Sequence, residues 1–265
     1  MEYIDAIDFT FNGKNSKSDF GYIIVSFDKS SGFSEPDTAQ SLEVTKENVG
    51  NNPKAKLIEL SYENVLQPCF GLMKCDGEAF SKEEIRNIHK WLMVNEYTTL
   101  LINNSLCNNV HFNAIATNIE IKKINSGIVG VAVTFECDSP YGYQTASTSY
   151  TISGNKTFAL NNTSDDFLNN EIYIKPYIKI IKEDSGDFTI KNTTLNQTTV
   201  LNLLNQEEVI MDCENMILSS SIPNRNLYSK FNRVWVSLAL GINSIKVTGN
   251  GTITISYDVA RKVGI

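Results

Sequence analysis

Two histidines, five cysteines and a few closely spaced acids are the residues of this 265-residue chain with the chemistry for a catalytic or metal site. His89 falls at helical spacing beside apolar positions and His111 opens a strand-like run, so both read as structural or surface residues. Cys107 lies four residues before His111, but a Cys–His nucleophile also needs an orienting partner and a cleft, and neither is visible. Cys69, Cys75, Cys107, Cys137 and Cys213 are odd in number and form no CxxC pair. That argues against a disulfide framework or a zinc site and for buried free thiols in a reducing cytosol. Asp212 and Glu214, two apart in an expected strand, would share a face as glycoside hydrolysis requires. The plainer reading is a solvated acidic surface, and Asp165-Asp166 has the same one. Gly127-Ile128-Val129-Gly130 lacks the third glycine and the following helix of a dinucleotide loop, and no Walker A run occurs. Trp235 could offer a sugar a stacking platform, but it alternates with Val234 and Val236 and reads as a core tryptophan. No catalytic, cofactor or metal residue is assigned, and no enzyme is expected.

The elements that would carry such residues are mostly strands. Ile7, Phe9 and Phe11 alternate with polar residues, Asn12-Gly13 turns the chain, and Tyr22 to Phe27 gives a second strand. Asp28 to Asp37 is loop-like. Leu42 to Asn64 holds two strand-like runs around a Gly50-Asn51-Asn52-Pro53 turn, the pattern of a protruding hairpin. One helix stands out. Ser81 and Glu84 form a capping box, and Ile85, Ile88 and Leu92 follow at helical spacing, widened by Trp91. Strands resume at Thr98 to Ile102, Val110 to Lys122 and Val129 to Glu136, with Asn125-Ser126-Gly127 turning the last pair. Ser139-Pro140-Tyr141-Gly142 breaks the pattern, which places a domain boundary between 1–140 and 141–265.

Beyond the break come short strands at Glu171 to Lys182, Asp187 to Asn192, Thr198 to Leu203, Val209 to Cys213 and Met216 to Ser219. Ile242 to Val247 and Thr252 to Tyr257, around Gly249-Asn250-Gly251, read as the best hairpin in the chain. Many short strands with regular turns predict an antiparallel sandwich. A net charge of −7 makes the chain a poor candidate for gripping nucleic acid or an anionic membrane, which need clustered Lys and Arg. Acids at Glu2 and Asp5 do not suit a signal peptide, and no apolar run approaches the roughly 20 residues that span a bilayer.

Several segments together resemble the distal tail proteins of long-tailed phages. They are Phe9-Thr10-Phe11-Asn12-Gly13 with Asp19-Phe20-Gly21-Tyr22, the capped helix with Trp91-Leu92, and the junction Phe135-Glu136-Cys137-Asp138-Ser139-Pro140-Tyr141-Gly142. Gly186-Asp187-Phe188-Thr189-Ile190-Lys191-Asn192, Ile210-Met211-Asp212-Cys213-Glu214-Asn215, Phe231-Asn232-Arg233-Val234-Trp235 and Leu240-Gly241-Ile242-Asn243-Ser244-Ile245 continue the likeness. Each is weak alone; their order and spacing carry the resemblance. It implies a mainly β protein: a β-sandwich-like first domain with one packed helix and an extended hairpin, then a galectin-like antiparallel β-sandwich. It further implies a homohexameric ring, formed by the first domain, that joins the tail tube protein to the tail-tip or tail-associated lysin protein and carries receptor-binding proteins. No cofactor, no stable nucleic-acid binding (DNA would only pass through the ring) and no membrane insertion are expected. The protein would sit at the tip of a virion tail or tail-like particle, after synthesis in the bacterial cytoplasm. The alternative is a carbohydrate-binding β-sandwich module that recognises the host cell wall.

Overall fold

A computed structural model describes residues 7–25, 27, 42–47, 50, 54–62, 65–103, 109–165 and 173–262. The chain divides into two compact units, Met1–Tyr143 with Arg261–Ile265, and Gln144–Ala260. The expected loop at Asp28 to Asp37, the residues Asn51 to Pro53, Cys107, Asp166 and Glu171 lie outside the described residues.

In the first unit, β1 (Phe9–Phe11) and β2 (Lys14–Asn15) pair across the Asn12-Gly13 turn, where both residues have positive φ (50° and 71°). β7 (Thr98–Ile102), β8 (His111–Ile124) and β9 (Gly127–Cys137) continue the sheet through antiparallel pairs. β6 (Cys69–Lys74) and β3 (Tyr22–Val25) complete the order β2-β1-β7-β8-β9-β6-β3. Alternation turns Phe9, Phe11, Phe112 and Phe135 inward until none is exposed. Helix α1 (Lys82–Leu92) covers them with Ile85, Ile88, Trp91 and Leu92. The Trp91 ring stacks on Phe9 at 5.5 Å, and its Nε1–H donates to the Phe11 carbonyl at 2.9 Å. A large apolar ring and one satisfied polar atom thus fix the helix on β1.

The capping box forms as the sequence predicts. The Ser81 amide donates to the Glu84 carboxylate (2.7 Å), and the Glu84 amide donates to the Ser81 hydroxyl (3.2 Å). The Ser81 amide, the Ser81 hydroxyl and then the Lys74 ammonium hold the Glu84 carboxyl below its ordinary range. We expect Ser81→Ala to cost about 1 kcal/mol in chemical denaturation. Because the Glu84 pKa is depressed on folding, its contribution is present above the unfolded value near 4.3 and is lost as pH falls through the folded one. The gap between wild type and Glu84→Gln should therefore close on acidification; a pH-independent gap would contradict this.

Gly71 and Gly130 lie on adjacent strands under the Phe27 ring. A Cβ at Gly130 would approach that ring to 2.1 Å, and one at Gly71 to 2.6 Å. Gly130, read above as the end of a failed nucleotide loop, is the floor of an aromatic slot. Phe27, expected to close the second strand, is not part of β3, and Ser26 lies outside the described residues.

Among the described residues, β4 (Leu42–Glu47) and β5 (Lys56–Tyr62) pair only with each other, in a two-stranded sheet of their own. Residues 43–47 and 54–59 are all exposed, including Val44, Leu57 and Ile58 at 42%, 52% and 57%. This is the hairpin that the Gly50 turn signal predicted.

The second unit is built on long strands that the sequence pattern hid. β10 (Gly142–Asn162) had not been expected as a strand. It folds over at Gly154: Tyr150 and Phe158 stack at 4.0 Å, whereas an extended run would hold them about 26 Å apart. β11 (Tyr177–Lys182) starts after Pro176 rather than at Glu171, and β12 (Gly186–Asn192) pairs with β13 (Gln197–Leu203). β14 (Glu208–Asp212) and β15 (Ile217–Ser220) extend the β11 side, giving the order β15-β14-β11-β16-β10. The expected hairpin around Gly249–Gly251 is corrected here. β16 (Gly241–Arg261) is one long element whose halves have different partners, 245–248 on β12 and 251–256 on β11. Ile245, Val247, Ile253, Ile255, Tyr257 and Val259 all face the core from it.

Three segments bend at one corner. The Asn250 side chain donates from Nδ2 to Asp184 (2.6 Å) and accepts at Oδ1 from the Gly154 N–H (2.8 Å). Lys182, only 1% exposed, pairs with Asp184 there. Gly249 and Gly251 adopt φ of 132° and 145°, which an L side chain rarely reaches, and a Cβ on Gly251 would meet the Ile181 carbonyl oxygen at 2.3 Å.

Candidate functional site

Among the described residues, those that the sequence marked for catalytic or metal-binding chemistry do not converge. His89 sits half-buried on α1; His111 lies 5.9 Å from the Tyr143 ring on the first-unit sheet. Cys137 and Cys213 are buried, and burial pushes both thiols up to about 12, so neither supplies a thiolate at neutral pH. Cys69 and Cys75, in contrast, are exposed, which corrects the expectation of buried thiols. Asp212 and Glu214 do not form a facing pair, because β14 ends at Asp212. The Asp212 carboxylate accepts from the amides of Glu214 (3.1 Å) and Asn215 (3.0 Å) and shapes a turn. Asp165 donates its backbone N–H to the Ala260 carbonyl. Trp235 is half-buried rather than fully buried, with its ring edge-on to Phe231 at 4.9 Å. Among the described residues no three His, Cys, Asp or Glu side chains are grouped to hold a metal ion.

The segments singled out in the second half hold loops instead. Asn192 donates to the Ser237 carbonyl (2.8 Å) and to Asn243 (3.1 Å). Asn243 in turn exchanges bonds with both backbone groups of Ala239, at 2.9 and 2.7 Å. Asn232 donates to the Thr198 carbonyl and accepts from the Val200 N–H, tying 231–234 to β13. Sequence reasoning missed Glu207, which no motif singled out. It is completely buried and accepts from the Ser220 hydroxyl (2.6 Å), Arg225 Nε (2.7 Å) and the Leu204 amide (2.8 Å). Burial alone would raise its pKa; these donors outweigh it and hold the carboxyl below its ordinary range.

At the junction, the Ser139 hydroxyl accepts from the Tyr141 amide and the Tyr143 hydroxyl, at 3.1 and 2.8 Å. Asn113 donates to Asp138 at 2.9 Å. The Pro140 break is thus pinned by local hydrogen bonds.

Residues 4–139 match the family described as phage tail protein N-terminal domain, and residues 141–257 match phage tail C-terminal domain. The chain belongs to this phage tail protein family. Among curated relatives, the SPbeta prophage-derived uncharacterized protein YomH of Bacillus subtilis (strain 168) is 26% identical over 184 residues, covering 66% of this chain and 69% of that protein. The fold is that of two solved phage proteins. SPP1 Dit, described as a paradigm of the hub adsorption apparatus in Gram-positive infecting phages, superposes with a TM-score of 0.64 at 11% identity. The match covers 96% of this chain and 99% of Dit. A chain of the phage p2 baseplate superposes with a TM-score of 0.58 at 9% identity, over 97% and 99% of the two chains. The phage tail family and its antiparallel β architecture therefore agree with the resemblance read from the sequence.

Proposed function

We propose that this phage tail protein is a ring-forming hub at the tip of a phage or phage-derived tail. The first unit would close a homohexamer, and the second, a galectin-like sandwich, would carry receptor-binding components. The ring would join the tail tube to the tail-tip protein, and its role would be structural rather than catalytic. The observation that supports this most is the end-to-end likeness to SPP1 Dit, with neither chain carrying a large unmatched module. The exposed hairpin β4–β5 is the natural reach to a neighbour. Val44, Leu57 and Ile58 have no core of their own to enter, and a two-stranded hairpin is marginal in isolation.

The test is assembly. Negative-stain microscopy of the full chain at high concentration should show rings with a central channel. Replacing 43–59 by a short Gly-Ser turn should leave monomers with unchanged β circular dichroism. Persistent wild-type monomers, or rings that survive the hairpin's removal, would overturn the proposal.

A further inference from the structure

The corner where β10, β11 and β16 bend holds a lysine in a place where lysines are seldom found. Lys182 is the one buried lysine among the described residues, with its side chain 2% exposed. Elsewhere lysines pair with carboxylates from solvent. Lys179 meets Glu208 and Lys122 meets Glu120 with the lysine side chains 42% and 38% exposed. An ammonium is strongly hydrated and costly to bury, and burial turns a lysine toward its neutral, nucleophilic form. Burial lowers the Lys182 pKa here, with the charge of Glu183 opposing.

Its surroundings hold the other parts of a reaction. Asp184 divides its carboxylate: Oδ1 accepts from Lys182 Nζ, and Oδ2 accepts from Asn250 Nδ2 at 2.6 Å. Asn250 Oδ1 in turn accepts from the Gly154 N–H at 2.8 Å, and Lys182 Nζ lies 3.4 Å from the Asn250 backbone carbonyl oxygen. The backbones are locked as well. Lys182 is the register partner of Gly251, and the Glu183 N–H donates to the Asn250 carbonyl at 3.1 Å. A Cβ on Gly251 would stand 3.1 Å from the Lys182 Cα, so glycine is what lets the two segments approach this closely. A structural ion pair needs only Lys182 and Asp184. Here the same carboxylate also holds the nitrogen of a carboxamide whose oxygen a backbone donor polarises. Nucleophile, base and polarised carbonyl are the three parts of an acyl transfer.

We infer that Lys182 and Asn250 are the reactants of a self-catalysed intramolecular amide bond, with Asp184 as its catalytic residue. Asp184 Oδ1 takes a proton from the Lys182 ammonium, and the freed lone pair on Nζ forms a bond to Asn250 Cγ. The π electrons of the carboxamide move onto its Oδ1, where the Gly154 N–H stabilises the charge. Asp184 gives the proton to Nδ2, the Cγ–Nδ2 bond breaks, and its electron pair leaves on nitrogen. The extra proton still on Nζ departs with the ammonia, as ammonium. One lysine ammonium and one carboxamide thus become one secondary amide and one free ammonium ion. The carboxylate is regenerated, and no oxidant, reductant or water is consumed. Holding both reactants on one carboxylate makes the step unimolecular, which lowers its barrier. The product joins β11 to β16 across the corner, between residues 68 apart, by a bond that reduction does not break. The inference does not depend on ring formation.

The test is the intact mass of the purified full chain under denaturing conditions, followed by tryptic peptide mapping. Wild type should weigh less than its sequence by one ammonia. Trypsin should not cut after Lys182, and a branched peptide should join the Lys182 and Asn250 segments. On a denaturing gel the looped chain should run ahead of its unlinked variants. Lys182→Met and Asn250→Ala should each restore the full mass. Asp184→Asn keeps both reactants and should leave them unlinked, with the β circular dichroism of wild type. Wild type at its full sequence mass overturns the inference whatever the variants do. So does an ammonia loss that leaves the two peptides separate, the product of a succinimide formed at Asn250 by the Gly251 amide. Undiminished linkage in Asp184→Asn overturns the role given to the carboxylate.

Discussion

Glu207→Ala should destabilise the second unit by about 3–5 kcal/mol, the range for breaking a buried ion pair from one side. The carboxylate is completely buried, while the Arg225 side chain keeps only 13% exposure. Deleting Glu207 leaves three donors, the Arg225 guanidinium, the Ser220 hydroxyl and the Leu204 amide, without their shared acceptor. Glu207→Gln keeps one acceptor and should cost less. The pH dependence has a definite sign. The folded pKa is depressed, so the stabilisation is present above the unfolded value near 4.3 and lost as pH falls through the folded one. Denaturation followed by tryptophan fluorescence can localise the loss, because Trp91 reports on the first unit and Trp235 on the second. A loss below about 1 kcal/mol would contradict a buried, fully engaged carboxylate.

Gly251→Val should cost about 2–4 kcal/mol through two separable causes. An L side chain at φ of 145° is strained, and its Cβ would be driven to 2.3 Å from the Ile181 carbonyl oxygen. That obstacle is backbone inside a paired ladder, which cannot swing aside as a side-chain tip could. Gly154→Ala is the internal control. It also has positive φ (74°), but nothing lies within 4 Å of the added Cβ. Its cost should be that of backbone strain alone, near 1 kcal/mol. Equal losses at the two positions would remove steric approach as the reason for glycine at 251.

The local signals that were legible share a property: the chemistry and its consequence lie within a few residues. Ser81 and Glu84 state the start of α1, Asn12-Gly13 states a two-residue turn, and Gly50 marks the end of an exposed hairpin. Thr98 to Ile102 is found where expected. The misreadings are those in which partners lie far away in sequence. β10 was invisible because its outward residues Thr145, Ser147 and Ser149 alternate with Ala146 and Thr148, which barely differ in polarity. Its outward hydroxyls find Asp258, Ser256 and Thr254 more than a hundred residues later. Gly249-Asn250-Gly251 looked like a hairpin because a glycine turn and a glycine bend have the same composition. Only the pairing with β11 and β12 distinguishes them. Glu207 escaped notice because adjacent Glu208 is solvated, and only the distant Arg225 and Ser220 show that the two glutamates differ. The β4–β5 pair was legible as a hairpin because its two strands lie close in sequence.

β16 follows in the chain every strand it pairs with, and it belongs to both the β11 and the β12 ladder. A ribosome delivers residues in order, so β10, β11 and β12 are all made before the strand that joins them exists. Until then each presents open edges and apolar faces, the condition under which chains stick to one another. The second unit must therefore close late, after long loops have been gathered at the Asn250 corner, and slowly for a unit of its size. A chain that stops short of β16 lacks the strand that joins the β11 and β12 ladders.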